Sequence, residues 1–110
     1  MFDFSKYAGN LIAVYFWNPE ELYELADGVL IDGKHIPAKS LNAIQKRFQS
    51  ERMFPYAIAI SVSGDGNAEW KGWCDANWYE ENGYRMVEIS EVRVGEPDED
   101  FSDLEFPLLL

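Results

Sequence analysis

The segment Tyr56–Ser63, YAIAISVS, alternates large and small side chains with a strict period of two. Such alternation is typical of a β-strand, because successive side chains point to opposite faces of a sheet. The large side chains are those of Tyr56, Ile58, Ile60 and Val62, and the small ones are those of Ala57, Ala59, Ser61 and Ser63. Since small side chains let a helix pack closely, we expect a central strand that is covered on both faces.

Two helices are predicted from capping residues and from apolar side chains at helical spacing. The first follows the Asn-Pro pair at 18–19, which suits a helix start, and would end near Gly28. The second would occupy about residues 38–51, ahead of Pro55, which disfavours continuation. A continuous apolar run at 11–17 precedes the first helix and predicts a buried strand.

Turn residues predict how the remaining strands are connected. The Asp-Gly pair at 32–33 predicts a short hairpin, and a strand at 68–74 follows a glycine-rich turn. The Asn-Gly pair at 82–83 predicts a second hairpin, which would join a strand at 78–81 to a strand that begins at Tyr84. The alternation in that last strand slips near Ser90, where we expect a β-bulge or the strand end.

These elements predict an α+β fold. Residues 1–95 would form a single domain with a mainly antiparallel sheet of five to seven strands and two helices packed mainly on one face. Residues 96–110 differ abruptly in composition. Acids occupy six of the sixteen positions from Gly95 to Leu110, and no base occurs there. We interpret 96–110 as an acidic-hydrophobic C-terminal tail.

The net charge of −11 is distributed unevenly along the chain. Residues 1–55 carry six bases and seven acids, whereas residues 56–110 carry three bases and thirteen acids. A field of this sign disfavours direct binding to nucleic acid or to anionic membranes and favours a basic protein surface. The alternative is that the acids serve solubility alone.

The sequence indicates neither a cofactor nor a metal site. One cysteine and one histidine are too few for structural zinc, and the calcium-loop spacing that begins at Asp65 fails at its glycine and glutamate positions. Phosphate-binding glycine motifs are absent. Cys74 with His35 could supply a nucleophile and a base, but a thiol among so many acids is expected to be a poor nucleophile.

Three tryptophans and two tyrosines are concentrated in residues 70–84. In a regular strand Trp70 and Trp73 would lie on opposite faces, with Trp70 in the core and Trp73 partly exposed. Trp78 and Tyr79 adjoin a predicted turn, where burial of both is difficult. Aromatic side chains among solvated acids suit an interface with a basic partner. The alternative is that all these rings pack in one core.

The predicted partner-binding residues form two groups. The first group lies in the aromatic segment and comprises Asp75, Trp78, Tyr79, Glu80 and Glu81. The second group consists of tail acids that would add long-range attraction, namely Asp98, Glu99, Asp100 and Asp103.

In size and charge the chain resembles small bacterial immunity proteins against nuclease toxins and phage-encoded anti-CRISPR or anti-restriction inhibitors. The resemblance implies a non-enzymatic inhibitor that occupies the basic, nucleic-acid-binding surface of a nuclease or related complex. A cytoplasmic location is expected separately, because the sequence has a single cysteine, no apolar run long enough for a membrane helix and no secretory-signal pattern at its start. The alternatives are a small enzyme that uses Cys74 and His35, or an adaptor that docks through its tail. Self-association is left open.

Overall fold

A computed structural model describes residues 2–94, which form a six-stranded sheet between two helices on one face and a third, shorter helix on the other. The elements follow in the order β1 (Leu11–Phe16), α1 (Glu21–Ala26), β2 (Leu30–Ile31), β3 (Lys34–His35), α2 (Ala38–Ser50), β4 (Tyr56–Val62), β5 (Ala68–Asp75), α3 (Ala76–Glu81) and β6 (Arg85–Glu88). Short 3-10 turns occupy Ser5–Tyr7 and Ile89–Glu91. The α+β class and the strand number agree with the sequence prediction.

Strand β4 is central and covered on both faces, as its alternation predicts. The strand order is β3-β2-β5-β4-β1-β6, and β4 pairs antiparallel with both β1 and β5. Its large side chains join the main core under α1 and α2, where Leu25 and Phe48 are buried. Its alanines, Ala57 and Ala59, lie under Tyr79 of α3. Small side chains on that face let α3 pack closely on the sheet.

Residues 78–81 are helical, so the prediction of a strand there was wrong. The Asn-Gly pair ends α3 and does not form a hairpin turn. Gly83 has φ +82°, and its N–H donates to the Glu80 carbonyl at 3.2 Å while the Tyr84 N–H donates to the Tyr79 carbonyl at 3.1 Å. This is a Schellman motif, in which only the glycine needs a positive φ. A type I′ hairpin would require a positive φ at the asparagine too, but Asn82 has φ −101°.

The sheet is mixed, and one of its two parallel pairs arises because α3 is a crossover between β5 and β6. Strand β6 pairs parallel with β1, and β2 pairs parallel with β5, while the other three pairs are antiparallel. Helix α3 carries the chain from β5 across β4 and β1 to the edge of the sheet, whereas a hairpin would have made β6 antiparallel to the preceding segment. Strand β6 stops at Glu88, and the 3-10 turn follows, so the slip in alternation marks a strand end.

A β-bulge in β5 places Trp70 and Trp73 on the same face. Ile60 lies opposite Trp70 and Ala59 lies opposite Gly72, which leaves Lys71 as the extra residue. The prediction that the two tryptophans lie on opposite faces was therefore wrong. Trp70 is nevertheless buried and Trp73 partly buried, as predicted.

The longest of the described helices, α2, has thirteen residues. Within residues 2–94 no helix is both long enough and apolar enough to cross a lipid bilayer.

Candidate functional site

On helix α3 the side chain of Tyr79 faces the sheet, whereas that of the preceding residue, Trp78, faces solvent. Tyr79 is 4% exposed, and its hydroxyl lies over β5, where a Cβ at Gly72 would be 3.3 Å away. Trp78 is 46% exposed. The expectation that Tyr79 is accessible was wrong, because neighbouring helical residues are about 100° apart and this one faces the alanines of the sheet. Burial also raises the pKa of the Tyr79 hydroxyl.

Three carboxylates lie within three residues of Trp78 in the chain, and we call them the α3 acids: Asp75, Glu80 and Glu81. Asp75 is the residue immediately before the helix, and Glu80 and Glu81 are exposed in its last turn. None of the three lies within 4.0 Å of a lysine or arginine nitrogen of residues 2–94. Within the described residues, no lysine or arginine therefore forms an ion pair with them.

Of the eleven other acids in the described part of the chain, four pair with a lysine or an arginine and seven do not. Arg93 binds Glu24 at 2.8 Å and Glu21 at 3.0 Å, and Arg47 pairs with Glu51 along α2. Helix α2 also carries Lys39 and Lys46 and packs on the face of the sheet opposite α3. Helix α2 thus carries bases on one face of the sheet, whereas α3 on the other face carries two acids and no base.

Six of the twenty acids lie outside the described residues. Residues 2–94 hold fourteen of the twenty acids and all nine bases. The predicted tail, with Asp98, Glu99, Asp100 and Asp103, lies outside the described residues. The candidate site is therefore defined by the α3 surface.

An exposed aromatic cluster beside α3 was not predicted. Trp17 and Phe54 are 51% and 52% exposed, and their ring centroids lie 5.5 Å apart. Tyr15 contacts Trp17 edge-on at 6.1 Å. The sequence does contain a signal for their exposure. Trp17 ends an apolar segment just before an Asn-Pro pair, and Phe54 ends a loop just before a proline. At such ends of elements, no helix need cover the side chains.

A cavity of about 260 Å³ opens between this cluster and α3, and we call it the aromatic pocket. It is lined by Tyr15, Trp17, Pro55, Ala76, Asn77, Glu80 and Met86. One of the α3 acids, Glu80, therefore belongs both to the helix surface and to a concave site with aromatic walls.

Cys74 and His35 are not brought together. His35 lies on the edge strand β3 opposite Leu30, which is opposite Glu69, five residues before Cys74 on β5. Two strand spacings and this offset amount to a separation on the order of 15 Å. Burial, together with the Asp75 carboxylate, raises the pKa of the Cys74 thiol. The Cys74 Sγ lies 3.4 Å from the Asp75 Oδ1, as the donor of a weak hydrogen bond.

We expect native Cys74 to react with iodoacetamide more slowly at pH 8 than the same protein unfolded in urea. The raised pKa keeps the thiol protonated, and the thiolate is the reacting form. The native rate should go on increasing above about pH 9, beyond the ordinary cysteine range. Rates followed by mass spectrometry give the comparison. A native rate that exceeds the unfolded rate near neutral pH would instead indicate an activated nucleophile.

Within residues 2–94 no group of three or more His, Cys, Asp or Glu side chains is arranged to hold a metal ion. In comparisons with protein-family models, curated proteins and solved structures, no match to the chain was found.

Proposed function

We propose that this protein is a non-enzymatic, cytoplasmic inhibitor that binds a basic, nucleic-acid-binding protein surface through α3. The observation that carries the proposal is the exposed Trp78 among three carboxylates that have no partner cation in the described chain. Exposed aromatic side chains supply contact area at low entropic cost, and solvated acids select a cationic partner and accelerate its association.

Seven other acids of residues 2–94 are also unpaired, so the proposal rests on the combination of three such acids with the exposed Trp78 within residues 75–81. Arg93 and Arg47 show that the fold can neutralise acids where it brings cations near them. Around α3, by contrast, no lysine or arginine nitrogen of residues 2–94 lies within 4.0 Å of the three acids. A surface evolved for phosphate is cationic, so a protein that occupies it must present anionic groups at its contact face.

The two alternative functions have weaker support. A cysteine enzyme would need Cys74 near a base, and His35 lies on a distant edge strand. An adaptor that docks through the tail depends on residues outside the described part of the chain.

We expect the double variant Glu80→Lys and Glu81→Lys to reduce partner capture by at least about tenfold, because two attractive contacts become repulsive. The immobilised wild-type protein and the variant are incubated with lysate of the source cells at low salt. Bound proteins are then eluted with rising NaCl or with duplex DNA. Proteins specific for the wild type should be displaced by duplex DNA, since DNA competes for the same basic surface.

The matched control is the double variant Glu20→Lys and Asp27→Lys. These exposed residues flank α1 on the other side of the sheet, and their reversal changes the net charge by the same amount. It should retain capture. An equal loss of capture in both double variants would show that net charge alone causes the effect, and would contradict a site at α3. If duplex DNA does not displace the captured proteins, the proposal that this protein binds a nucleic-acid-binding surface is contradicted.

A further inference from the structure

We propose that the aromatic pocket receives an arginine side chain of the partner, with Glu80 as its counter-charge. This inference rests on the proposed function and specifies the side chain that the α3 surface recognises. It also shifts the centre of the site from Trp78 toward Trp17, on the opposite wall of the pocket from α3.

The pocket lining combines the features that bind an organic cation. Tyr15 and Trp17 supply aromatic rings, which attract cations by their quadrupoles, and Trp17 supplies the ring type that does so best. Glu80 supplies a carboxylate that no lysine or arginine nitrogen of residues 2–94 approaches within 4.0 Å. Asn77 supplies an amide, whose oxygen can accept a hydrogen bond. No basic residue lines the pocket.

The pocket volume suits one side chain better than a cofactor. About 260 Å³ lies below the range of roughly 300–1,000 Å³ that is usual for drug-sized ligands. An apolar side chain would leave the Glu80 carboxylate facing hydrocarbon, and an anionic one would be repelled by it.

Arginine fits these groups better than lysine. Its planar guanidinium stacks on aromatic rings and can donate two parallel hydrogen bonds to one carboxylate, whereas the ammonium of lysine is a strongly hydrated point charge. The protein already contains such contacts, since Arg85 lies 4.9 Å from the Tyr7 ring centroid and Arg47 lies 5.4 Å from that of Trp73. The Trp17 ring has no cation in this role in the described chain.

The test uses N-acetyl-arginine methylamide, which is a single arginine side chain with neutral ends. Its binding to the full-length protein and to every variant is followed by NMR through the backbone amide resonance of Asn77, which lines the pocket. The indole Nε1–H resonance of Trp17 is a second reporter in the proteins that retain this residue. We expect saturable binding in the millimolar range. The isosteric but uncharged citrulline analogue should bind at least about tenfold more weakly, and the lysine analogue about threefold more weakly.

Two matched pairs of variants locate the site. Glu80→Gln and Trp17→Leu should each weaken binding by about fivefold. Their controls, Glu81→Gln and Trp78→Leu, change an adjacent acid and a similarly exposed tryptophan that do not line the pocket, and should remain within about twofold of wild type. The positions changed are exposed, so folding should be retained, and the amide spectrum checks it.

The outcomes separate this inference from the proposed function. If the arginine analogue does not bind, or binds equally to all four variants, the pocket assignment is overturned, while capture that depends on Glu80 and Glu81 would still support an inhibitor that binds through α3. Tighter binding of the citrulline analogue would also overturn it. If the analogue binds as expected but the α3 charge reversals leave capture unchanged, the proposed function fails.

Discussion

Replacing Tyr79 with alanine is expected to lower the free energy of unfolding by about 3–5 kcal/mol, the range for removing a large buried aromatic side chain. The ring is 4% exposed, lies between α3 and the alanines of β1 and β4, and contacts Tyr84 at a centroid distance of 4.7 Å. Its removal leaves a cavity under a helix of only six residues. A short helix depends on such packing, because its own hydrogen bonds give little net stability.

The adjacent Trp78 is the matched control for Tyr79. Trp78→Ala removes a larger side chain from the same helix, but one that is 46% exposed, and should cost less than about 1 kcal/mol. Urea unfolding, monitored by circular dichroism, measures both values. In the capture experiment, Trp78→Ala should weaken partner binding although the protein stays folded, so the variant with the smaller effect on stability should have a clear effect on binding. Similar stability losses for both variants would contradict the inward orientation of Tyr79.

Replacing Phe48 with alanine is expected to have an effect of similar size on the other face of the sheet, about 3–5 kcal/mol. Phe48 is 1% exposed and anchors α2 to the core through rings on three different strands. Its ring centroid lies 5.1 Å from that of Tyr56, 5.5 Å from that of Trp73 and 6.5 Å from that of Phe16. Edge-on aromatic pairs add to the area that the side chain buries.

Ile44 provides the comparison for Phe48, because it lies one turn earlier on the same helix and is only partly buried. Ile44→Ala should cost less than about 2 kcal/mol, below the range for a fully buried isoleucine. Both variants leave the α3 surface untouched, so folded protein should retain capture. A loss for Ile44→Ala that equals the loss for Phe48→Ala would show that helix formation, and not the aromatic contact, sets the stability of α2.

The elements that could be predicted are those whose signals are local. The second helix was expected at 38–51 and occupies Ala38–Ser50, because apolar spacing and a following proline act within a few residues. The hairpin at 32–33 was also predicted, and Asp32 and Gly33 have the positive φ values that its turn needs. The Asn-Gly pair at 82–83 was ambiguous, because a glycine with positive φ serves a hairpin and a helix end equally well.

At the candidate site, the sequence identified the acidic segment but not its geometry. Glu80 and Glu81 are exposed as expected, whereas Tyr79 is buried, because the segment is helical and one side of it must face the sheet. Trp17 and Phe54 were missed, because apolar sequence by itself predicts burial. Their exposure depends on where the helices that cover the two faces of the sheet end, which is a property of the tertiary structure.

The sequence by itself determined that β4 is a two-faced central strand and that acids are concentrated in the half of the chain that begins with it, because side-chain size and charge are properties of each residue. Only the tertiary structure decided which face each aromatic ring occupies. The bulge at Lys71 brings Trp70 and Trp73 to one face, and the crossover through α3 places Glu80 beside Trp17, sixty-three positions earlier in the chain. Both depend on pairing between strands distant in sequence, and side-chain periodicity within one segment carries no information about its neighbours.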